Sequence, residues 1–331
     1  MAVPQGDAEH KGLQLRVNPG SRRGLESWRI NPGTLDVLAD PTHWSFGQLA
    51  QRAGAPAGYL RTLPAEMAAD CINYGLMMRS VDEVGLLVRE NGRLTTTAVT
   101  GPNYGRVYNH DIVKALIKRF GDGVNGQFRI PGEFGRPVPI TKANTTLYAS
   151  DRDMFVFLAD EEHRIEVPNR RNGEPGSLAR GFFVWNSEVG AATLGIKAFL
   201  YDYVCCNRIV WGAQDVKEIR IRHTSGAPDR FAEEVYPALK AYAESSTANV
   251  VDAIKEAKTL KLGAKDKVTD FLNKRFTKSQ TSAILTAHEE EEGRPIETMW
   301  DAVVGATAYA KQIQWQDERV KVETIAGSLL D

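Results

Sequence analysis

Residues 181–211 read GFFVWNSEVGAATLGIKAFLYDYVCCNRIVW and form the most apolar stretch of the chain. Two apolar runs, GFFVW and the segment from Thr193 to Trp211, are separated by the polar residues Asn186 to Gly190. Short apolar runs rich in aromatic and β-branched residues are typical of strands. This stretch therefore predicts the centre of a β-sheet.

The predicted sheet extends upstream of this stretch. The segments TLYAS and MFVFL flank the turn Asp151-Arg152-Asp153, and residues 163–167 predict a further strand. The polar segment PNRRNGEPGSLAR at 168–180 interrupts the strands and is predicted to be a surface excursion. Farther upstream, Asn91-Gly92 is a strong turn signal and predicts a hairpin over residues 84–99.

Helices are predicted on both sides of the strands. Helical spacing of apolar residues recurs over 43–76 and 112–120, and the C-terminal third of the chain is mostly helical. This order predicts an α+β fold with a central, mostly antiparallel sheet and helices at its N- and C-terminal ends. We expect a flexible arm at 1–35, an α+β core with an N-terminal helical lid at 36–225 and a helical region at 226–331.

The composition is that of an ordinary globular protein. Of the 331 residues 42% are hydrophobic and 25% are charged, which argues against wholesale disorder. The formal net charge of −1 excludes a uniformly basic coat for nucleic acid. Cys71, Cys205 and Cys206 are too few for a disulfide scaffold. No segment resembles a signal sequence or a membrane span, so we expect a cytoplasmic protein without a membrane partner.

The sequence contains none of the common motifs for cofactors or catalysis. It has no GxxxxGK[ST] loop, no HExxH, no CxxC and no GxSxG. We therefore expect no cofactor, no metal ion and no catalytic residue. The acidic groups at 160–163 and at 289–292 are interpreted as solvated surface rather than as metal ligands.

Basic residues are concentrated in three parts of the chain. The first is the excursion at 168–180, the second lies around 217–223, and the third spans 255–278. A basic helix face such as the third is usually only solvated. Cations near the aromatic strands, however, supply what single-stranded nucleic acid needs, namely charge for phosphates and flat rings for bases. The residues predicted to bind nucleic acid are Arg170, Arg171, Arg180, Lys197, Arg208, Lys217, Arg220 and Arg222.

Three segments carry motifs of a known family. They are FVWNSEVGAATLGIKAFLYDYVCCNRIVWG at 183–212, GPNYGRVYNHDIV at 101–113 and QLAQRAGAPAGYLRTLP at 48–64. The motif positions are Tyr104, Tyr108, Asn109, Asn186, Ser187, Glu188, Gly190, Cys206 and Asn207. With these segments the chain resembles a family of prophage and plasmid proteins of unknown function, the YfjQ and YafZ type. Arg208 stands where many relatives have Gly, so a tight turn with positive φ is less expected there.

The resemblance implies a protein of phages or plasmids that handles mobile-element DNA or counters the host. A middle sheet with flanking helices is also similar to the phage single-strand annealing proteins of the RecT and Erf class. The first hypothesis is a homo-oligomeric protein that binds or anneals single-stranded DNA in recombination or replication, without catalysis. The alternatives are a regulator that binds double-stranded DNA through residues 45–63, and an enzyme with a polar site around Ser187 and Cys206.

Two further expectations concern geometry. Asn207 should lie near Ser187, because the segments that flank the apolar stretch 193–204 are expected to return beside each other. The excursion should lie on the surface, so that Arg170 and Arg171 contribute to binding but not to stability.

Overall fold

The computed structural model describes residues 2–4, 13–17, 28–31, 39–79, 83–132, 139, 146–171, 173–211, 219–244 and 248–331. The strands are β1 (Ala2–Pro4), β2 (Gln14–Val17), β3 (Trp28–Asn31), β4 (Asp40–Pro41), β5 (Glu83–Glu90), β6 (Leu94–Thr100), β7 (Phe128–Arg129), β8 (Leu147–Ala149), β9 (Met154–Asp160), β10 (Ile165–Arg171), β11 (Glu174–Asn186), β12 (Leu194–Asp202), β13 (Asn207–Ile209) and β14 (Ile219–Ile221). The helices are α1 (His43–Ala53), α2 (Ala57–Leu60), α3 (Ala65–Met77), α4 (Asn109–Phe120), α5 (Ala227–Arg230), α6 (Tyr236–Glu244), α7 (Ala248–Thr259), α8 (Lys265–Asn273), α9 (Lys278–Glu292), α10 (Met299–Lys311) and α11 (Gln316–Gly327). Among these helices none is both long and apolar enough to span a membrane.

Strand β11 is the axis of the main sheet. It pairs antiparallel with β12 from Leu178 to Trp185, and its C-terminal half pairs antiparallel with β9 on the other side. Strands β13 and β14 both pair with the free side of β12, while β7 and β8 pair with the free side of β9. All of these pairings are antiparallel, and helices precede and follow the sheet, so the predicted α+β class is confirmed.

The polar segment at 168–180 is part of the sheet and does not interrupt it. Ile165 to Val167 of β10 pair with residues 176–178 of β11, and Arg171 pairs with Glu174 across the tip of the hairpin. The predicted interruption of the strands is therefore wrong, whereas the described residues at the tip, Pro168 and 173–175, are exposed as expected and 178–180 are buried. Polar residues are tolerated in these strands because the tip of a hairpin extends beyond the buried part of the sheet.

The two faces of the main sheet are both apolar and both covered. Phe182 and Val184 point to one face, where they pack with Ile112 of α4 and with the helices that follow β14. Phe183 points to the opposite face, where its ring stacks on that of Phe157 with 4.8 Å between centroids. Burying each such side chain contributes about 1.5–3 kcal/mol, so both layers of cover are needed for stability.

The C-terminal helices form a core of their own that joins the edge of the sheet. Trp300, Val303 and Val304 of α10 are buried between α7, α9 and α11 and pack with Ile165 and Ile209 of the sheet. The start of α10 is capped by the side chain of Thr298. The helical region predicted after residue 226 is thus present, and it packs directly on β10 and β13.

The N-terminal part contains a second, smaller sheet. Strands β5 and β6 form the predicted hairpin, and β1 and β4 pair with its two outer sides. Helices α1 and α3 pack on this sheet, as the helical spacing over 43–76 predicts. Of the predicted flexible arm at 1–35 the structure describes 2–4, 13–17 and 28–31. Three side chains of these residues, Leu13, Leu15 and Ile30, are buried in the same core.

Arg208 of β13 is fully buried beneath α11. Its Nη2 atom lies 2.9 Å from Oε1 of Glu323, and its guanidinium carbon lies 4.1 Å from the centroid of the Phe157 ring. Arg319 donates to the same carboxylate oxygen from one turn earlier on α11. Burial lowers the pKa of Arg208, a cost that the carboxylate of Glu323 offsets. The prediction that Arg208 binds nucleic acid is therefore wrong, because none of its side chain reaches the surface.

Replacing Glu323 by glutamine is expected to destabilise the protein by about 3–5 kcal/mol, because two buried arginines lose their counter-charge. Urea unfolding of the full chain measures the loss. Glu318→Gln removes an exposed carboxylate from the same helix and should change the stability by no more than ~0.5 kcal/mol. Equal losses in the two variants would contradict a specific role for the buried pair.

Candidate functional site

The motif loop, Asn186–Gly190, connects β11 to β12 and is held by hydrogen bonds at both ends. The Nδ2 atom of Asn186 donates to the carbonyl of Val107 at 2.9 Å and to Oδ1 of Asn109 at 2.7 Å. The hydroxyl of Ser187 donates to the carbonyl of Arg152 at 2.6 Å and accepts from the amide of residue 191 at 2.9 Å. The loop is therefore fixed relative to α4 and to the turn before β9.

Glu188 links the motif loop to the segment that precedes α4. Its carboxylate accepts from the amide of Asn109 at 2.7 Å and from Arg89 of β5, while its carbonyl accepts from Arg106. The hydroxyl of Tyr104 donates to the carbonyl of Ser187 at 2.7 Å. Burial raises the pKa of Tyr104 to about 12, so this hydroxyl stays protonated and remains a donor.

Six of the nine predicted motif residues thus come together, whereas Tyr108, Cys206 and Asn207 do not. The six are Tyr104, Asn109, Asn186, Ser187, Glu188 and Gly190. Tyr108 is the N-cap residue of α4; its ring is exposed and lies against that of His110 with 5.7 Å between centroids. Two segments that are some 80 residues apart in the sequence therefore form one cluster.

The N-terminal helices also attach to the motif loop. The carbonyl of Val189 accepts from Nε1 of Trp44 at 3.0 Å and from Nε2 of Gln48 at 2.7 Å. Gly190 follows with φ of +83°, a left-handed conformation that favours glycine and directs the chain into β12. The motif loop is therefore the junction between the N-terminal part and the main sheet.

An open pocket of about 350 Å³ lies beside the motif loop. Its walls are Tyr104, Arg222, His223, Thr224 and the chain from Gly190 to Thr193. The rings of Tyr104 and His223 are stacked with 4.9 Å between centroids. The Nδ1 atom of His223 donates to the carbonyl of Gly105 at 3.0 Å, and burial lowers the pKa of this imidazole, which favours its neutral form.

Three of the predicted nucleic-acid-binding residues reach the surface, and one of them, Arg222, lines this pocket. Arg220 of β14 pairs with Gly195 of β12, and its guanidinium carbon lies 5.9 Å from the centroid of the Trp185 ring. Arg222 is exposed and follows the buried Ile221, and Lys197 of β12 is partly exposed. The outward direction of both arginines agrees with the alternation predicted for an extended segment.

The other predicted cations do not form a common surface for nucleic acid among the described residues. Arg180 is 6% exposed, with its guanidinium 5.6 Å from the centroid of the Tyr242 ring. Arg171 lies 3.2 Å from the carboxylate of Glu292, so its charge is already matched within the protein. Lys217 and the side chain of Arg170 lie outside the described residues.

The Cys206–Asn207 motif lies far from the motif loop. Asn207 pairs with Asp202 at one end of β12, whereas the motif loop joins β12 at its other end, about 25 Å away at 3.3 Å per residue. The predicted proximity of Asn207 to Ser187 is wrong, because β12 runs its whole length between them. A single polar enzyme site containing both Ser187 and Cys206 is excluded for the same reason. The residue with positive φ in this turn is Cys206, at +54°.

Acidic residues that were interpreted as solvated lie against the Cys-Asn turn. One ligand atom each of Cys205, Glu291 and Glu292 falls within 4.8 Å of the others, a spacing that suits a metal ion. However, Lys311 and Arg171 contact the two carboxylates and already supply positive charge. The group is therefore better described as an ion-pair cluster that joins α9 to the sheet.

The third basic group covers the surface of α7, α8 and the start of α9. Its exposed members are Lys255, Lys261, Lys265, Lys267, Lys274, Arg275 and Lys278. Lys258, in contrast, donates to the carbonyl of Pro168 at 2.5 Å. The acidic side chains Asp266 and Asp270 are interspersed and exposed, as on an ordinary solvated helix face.

Some contacts at the motif loop had no signal in the sequence. Trp44, Arg152 and Trp315 form an aromatic cluster, with the guanidinium carbon of Arg152 lying 6.0 Å from the Trp44 ring and 4.7 Å from the Trp315 ring. The two tryptophans lie near opposite ends of the chain, so neither periodicity nor spacing relates them. In the sequence each tryptophan stands alone in its segment, which does not indicate its partner.

Gly105→Ala is expected to lower the stability by about 1–3 kcal/mol, because a Cβ at this position collides with the carbonyl of Thr224. The collision would push apart the segments that carry Tyr104 and His223. Gly226→Ala is the matched control, since no atom lies within 4 Å of the added carbon and φ is negative. Urea unfolding of both variants tests the close approach, and an unchanged midpoint for Gly105→Ala would contradict it.

Comparison with known proteins identifies the family of this chain. The family model described as Domain of unknown function (DUF932) matches residues 142–327, more than half of the chain. The match runs from the main sheet to α11 and includes the motif loop and the Cys-Asn turn, but not Tyr104, Tyr108 or Asn109. No curated protein and no solved structure matches the sequence. The chain therefore belongs to the DUF932 family of proteins with a domain of unknown function.

Proposed function

We propose that this protein binds single-stranded nucleic acid at the surface formed by β12, β14 and the pocket beside the motif loop. The observation that carries the proposal is a pocket that is lined by Arg222 and walled by two stacked rings, next to the strand that carries the exposed Arg220. Cations that contact phosphates, together with rings that stack with bases, are the usual elements of single-strand binding.

The position of the cations favours contact with a flexible polyanion. Arg220 lies in β14, which pairs with β12, Arg222 directly follows this strand, and the buried Ile221 between them anchors the strand in the core. Because alternate residues of an extended segment point to the same side, the two guanidinium groups face solvent together. They can therefore contact a phosphate backbone without any rearrangement of the sheet.

The pocket offers a flat surface next to these cations. Arg222 lines it directly, and the Tyr104 ring is held in place by its hydrogen bond to Ser187. A ring fixed by the protein loses little entropy when a base stacks on it, which favours binding. The neutral form of His223 adds no charge, so recognition of phosphate would fall to Arg222 and its neighbours.

The aromatic residues of the central strands do not support the proposal. Phe182, Phe183 and Tyr201 are buried between the sheet and its helices, where no base can reach them. The support therefore comes from the edge of the sheet and from the pocket.

The two alternatives receive less support from the geometry. A regulator acting through residues 45–63 would need a recognition helix, but α2 spans only Ala57–Leu60, about one turn. Its arginine, Arg61, donates to the carbonyl of His43 and packs over the Phe46 ring at 5.1 Å. An enzyme with a joint Ser187 and Cys206 site is excluded by the distance along β12.

The proposal includes the biological setting that the sequence motifs imply. We place the protein among phage and plasmid proteins of the YfjQ and YafZ type. In that setting it would bind or anneal DNA in the cytoplasm, as a homo-oligomer, during recombination or replication. The similarity to the RecT and Erf class concerns fold organisation, and it adds no residue-level support.

The test is binding of an oligothymidylate to the full chain across a salt series, with a duplex of the same length for comparison. Arg220→Ala combined with Arg222→Ala should weaken binding. Loss of two phosphate contacts should also make the salt dependence shallower by about 1.4 in log–log slope. Fluorescence anisotropy measures both quantities.

The matched control removes two exposed lysines from the basic helix face. Lys265→Ala combined with Lys267→Ala changes the net charge equally and should leave the affinity close to that of the wild type. Tighter binding to the duplex would contradict the single-strand preference. If the control loses more affinity for the oligothymidylate than the arginine variant does, the binding surface lies on α8 and the proposed surface is wrong.

A further inference from the structure

We infer that Trp44, Arg152 and Trp315 form a base-stacking site for single-stranded nucleic acid, an inference that rests on the proposed function. The three side chains come from α1, from the turn before β9 and from the start of α11. The motif loop binds Trp44 and Arg152, the guanidinium of Arg152 contacts Trp315, and none of the three residues lines the pocket with Arg222.

Trp315 presents an open aromatic surface. Its side chain is 46% exposed, which is unusual for the largest apolar residue, and it precedes α11 as the N-cap residue. Its side chain makes no capping hydrogen bond, so the helix does not require an indole here. The guanidinium of Arg152 packs over the ring at 4.7 Å from its centroid, and the residue is still exposed with this contact in place.

Two members of the cluster, Trp44 and Arg152, are held in place by hydrogen bonds to the motif loop. The carbonyl of Arg152 accepts from the hydroxyl of Ser187 at 2.6 Å, and Nε1 of Trp44 donates to the carbonyl of Val189 at 3.0 Å. Both partners belong to the motif loop. A fixed arrangement of flat groups lowers the entropic cost of stacking with a base.

The charges of the cluster favour bases over phosphates. Asp317 lies 3.8 Å from Arg152, and Asp151 is exposed on the adjacent turn. These carboxylates offset the guanidinium, so the cluster offers no surplus positive charge to a phosphate. Its open feature is the tryptophan ring, and the neutral faces of bases stack on such rings.

The geometry also allows a single nucleic-acid strand to contact both the pocket lined by Arg222 and the tryptophan cluster. Val189 holds Trp44, and the next residue, Gly190, lines the pocket with Arg222. A strand with its phosphates at Arg220 and Arg222 therefore needs to cross only the motif loop to place a base on Trp315. In this arrangement the cations provide the salt-dependent part of the affinity, and the tryptophan provides a salt-independent part.

The test compares Trp315→Ala with the wild type, both as the full chain, on an oligothymidylate and on an abasic oligonucleotide of the same length. We expect about tenfold weaker binding of the oligothymidylate, with an unchanged salt slope, because a stacking contact and no phosphate contact is lost. The abasic oligonucleotide should bind equally to both proteins. Tyr74→Ala removes another exposed ring, on α3, and should leave both affinities unchanged.

Trp315→Phe keeps a ring at this position and is the variant for fluorescence. Oligothymidylate should quench the tryptophan emission of the wild type, and most of this quenching should be lost in Trp315→Phe while the melting temperature is retained. Equal affinity of Trp315→Ala for oligothymidylate, or equal quenching in Trp315→Phe, would overturn the stacking site and leave the proposed function intact. If the wild type binds neither oligonucleotide, the proposed function itself fails.

Discussion

The pairing of β11 with β12 is the constraint on which the rest of the structure depends. Both strands are apolar on both faces, so the sheet that they form has to be covered on each side. Helix α4 and the helices after β14 cover one face, and α11 covers the other. The N-terminal part is attached at the motif loop, where β11 ends, and the helices from α7 onward are attached at β10 and β13.

The motif loop derives its importance from main-chain carbonyls. The carbonyls of Ser187, Glu188 and Val189 accept side-chain hydrogen bonds from residues that lie far away in the sequence. Carbonyl groups that leave a strand end have no ladder partner, and burying them unpaired would cost about 1–3 kcal/mol each. The motif loop is therefore a structural junction. The side chains able to bind a ligand are the neighbouring ones that this loop holds in place.

The distribution of charge explains why the basic residues were difficult to interpret. Arg171 and Arg208 are matched by Glu292 and Glu323, acidic residues more than 100 positions later. An arginine with a distant carboxylate partner looks the same in a sequence as an arginine that faces solvent. Among the predicted residues whose side chains the structure describes, Arg220 and Arg222 are exposed and Lys197 is partly exposed.

The sequence by itself determined the class of the fold and many of its elements, but not the strands β1 to β3 or the pairing of β10 with the start of β11. Periodicity and turn signals are local properties, so the hairpin of β5 and β6, the helix α4 and the strands of the main sheet could be predicted from neighbouring residues. The six clustered motif residues were also identified, although their structural role was not. What only the tertiary structure decided is which side chains meet. The stacking of Tyr104 on His223, the burial of Arg208 and the cluster of Trp44 with Trp315 depend on strand register and helix packing, which join residues without any local pattern.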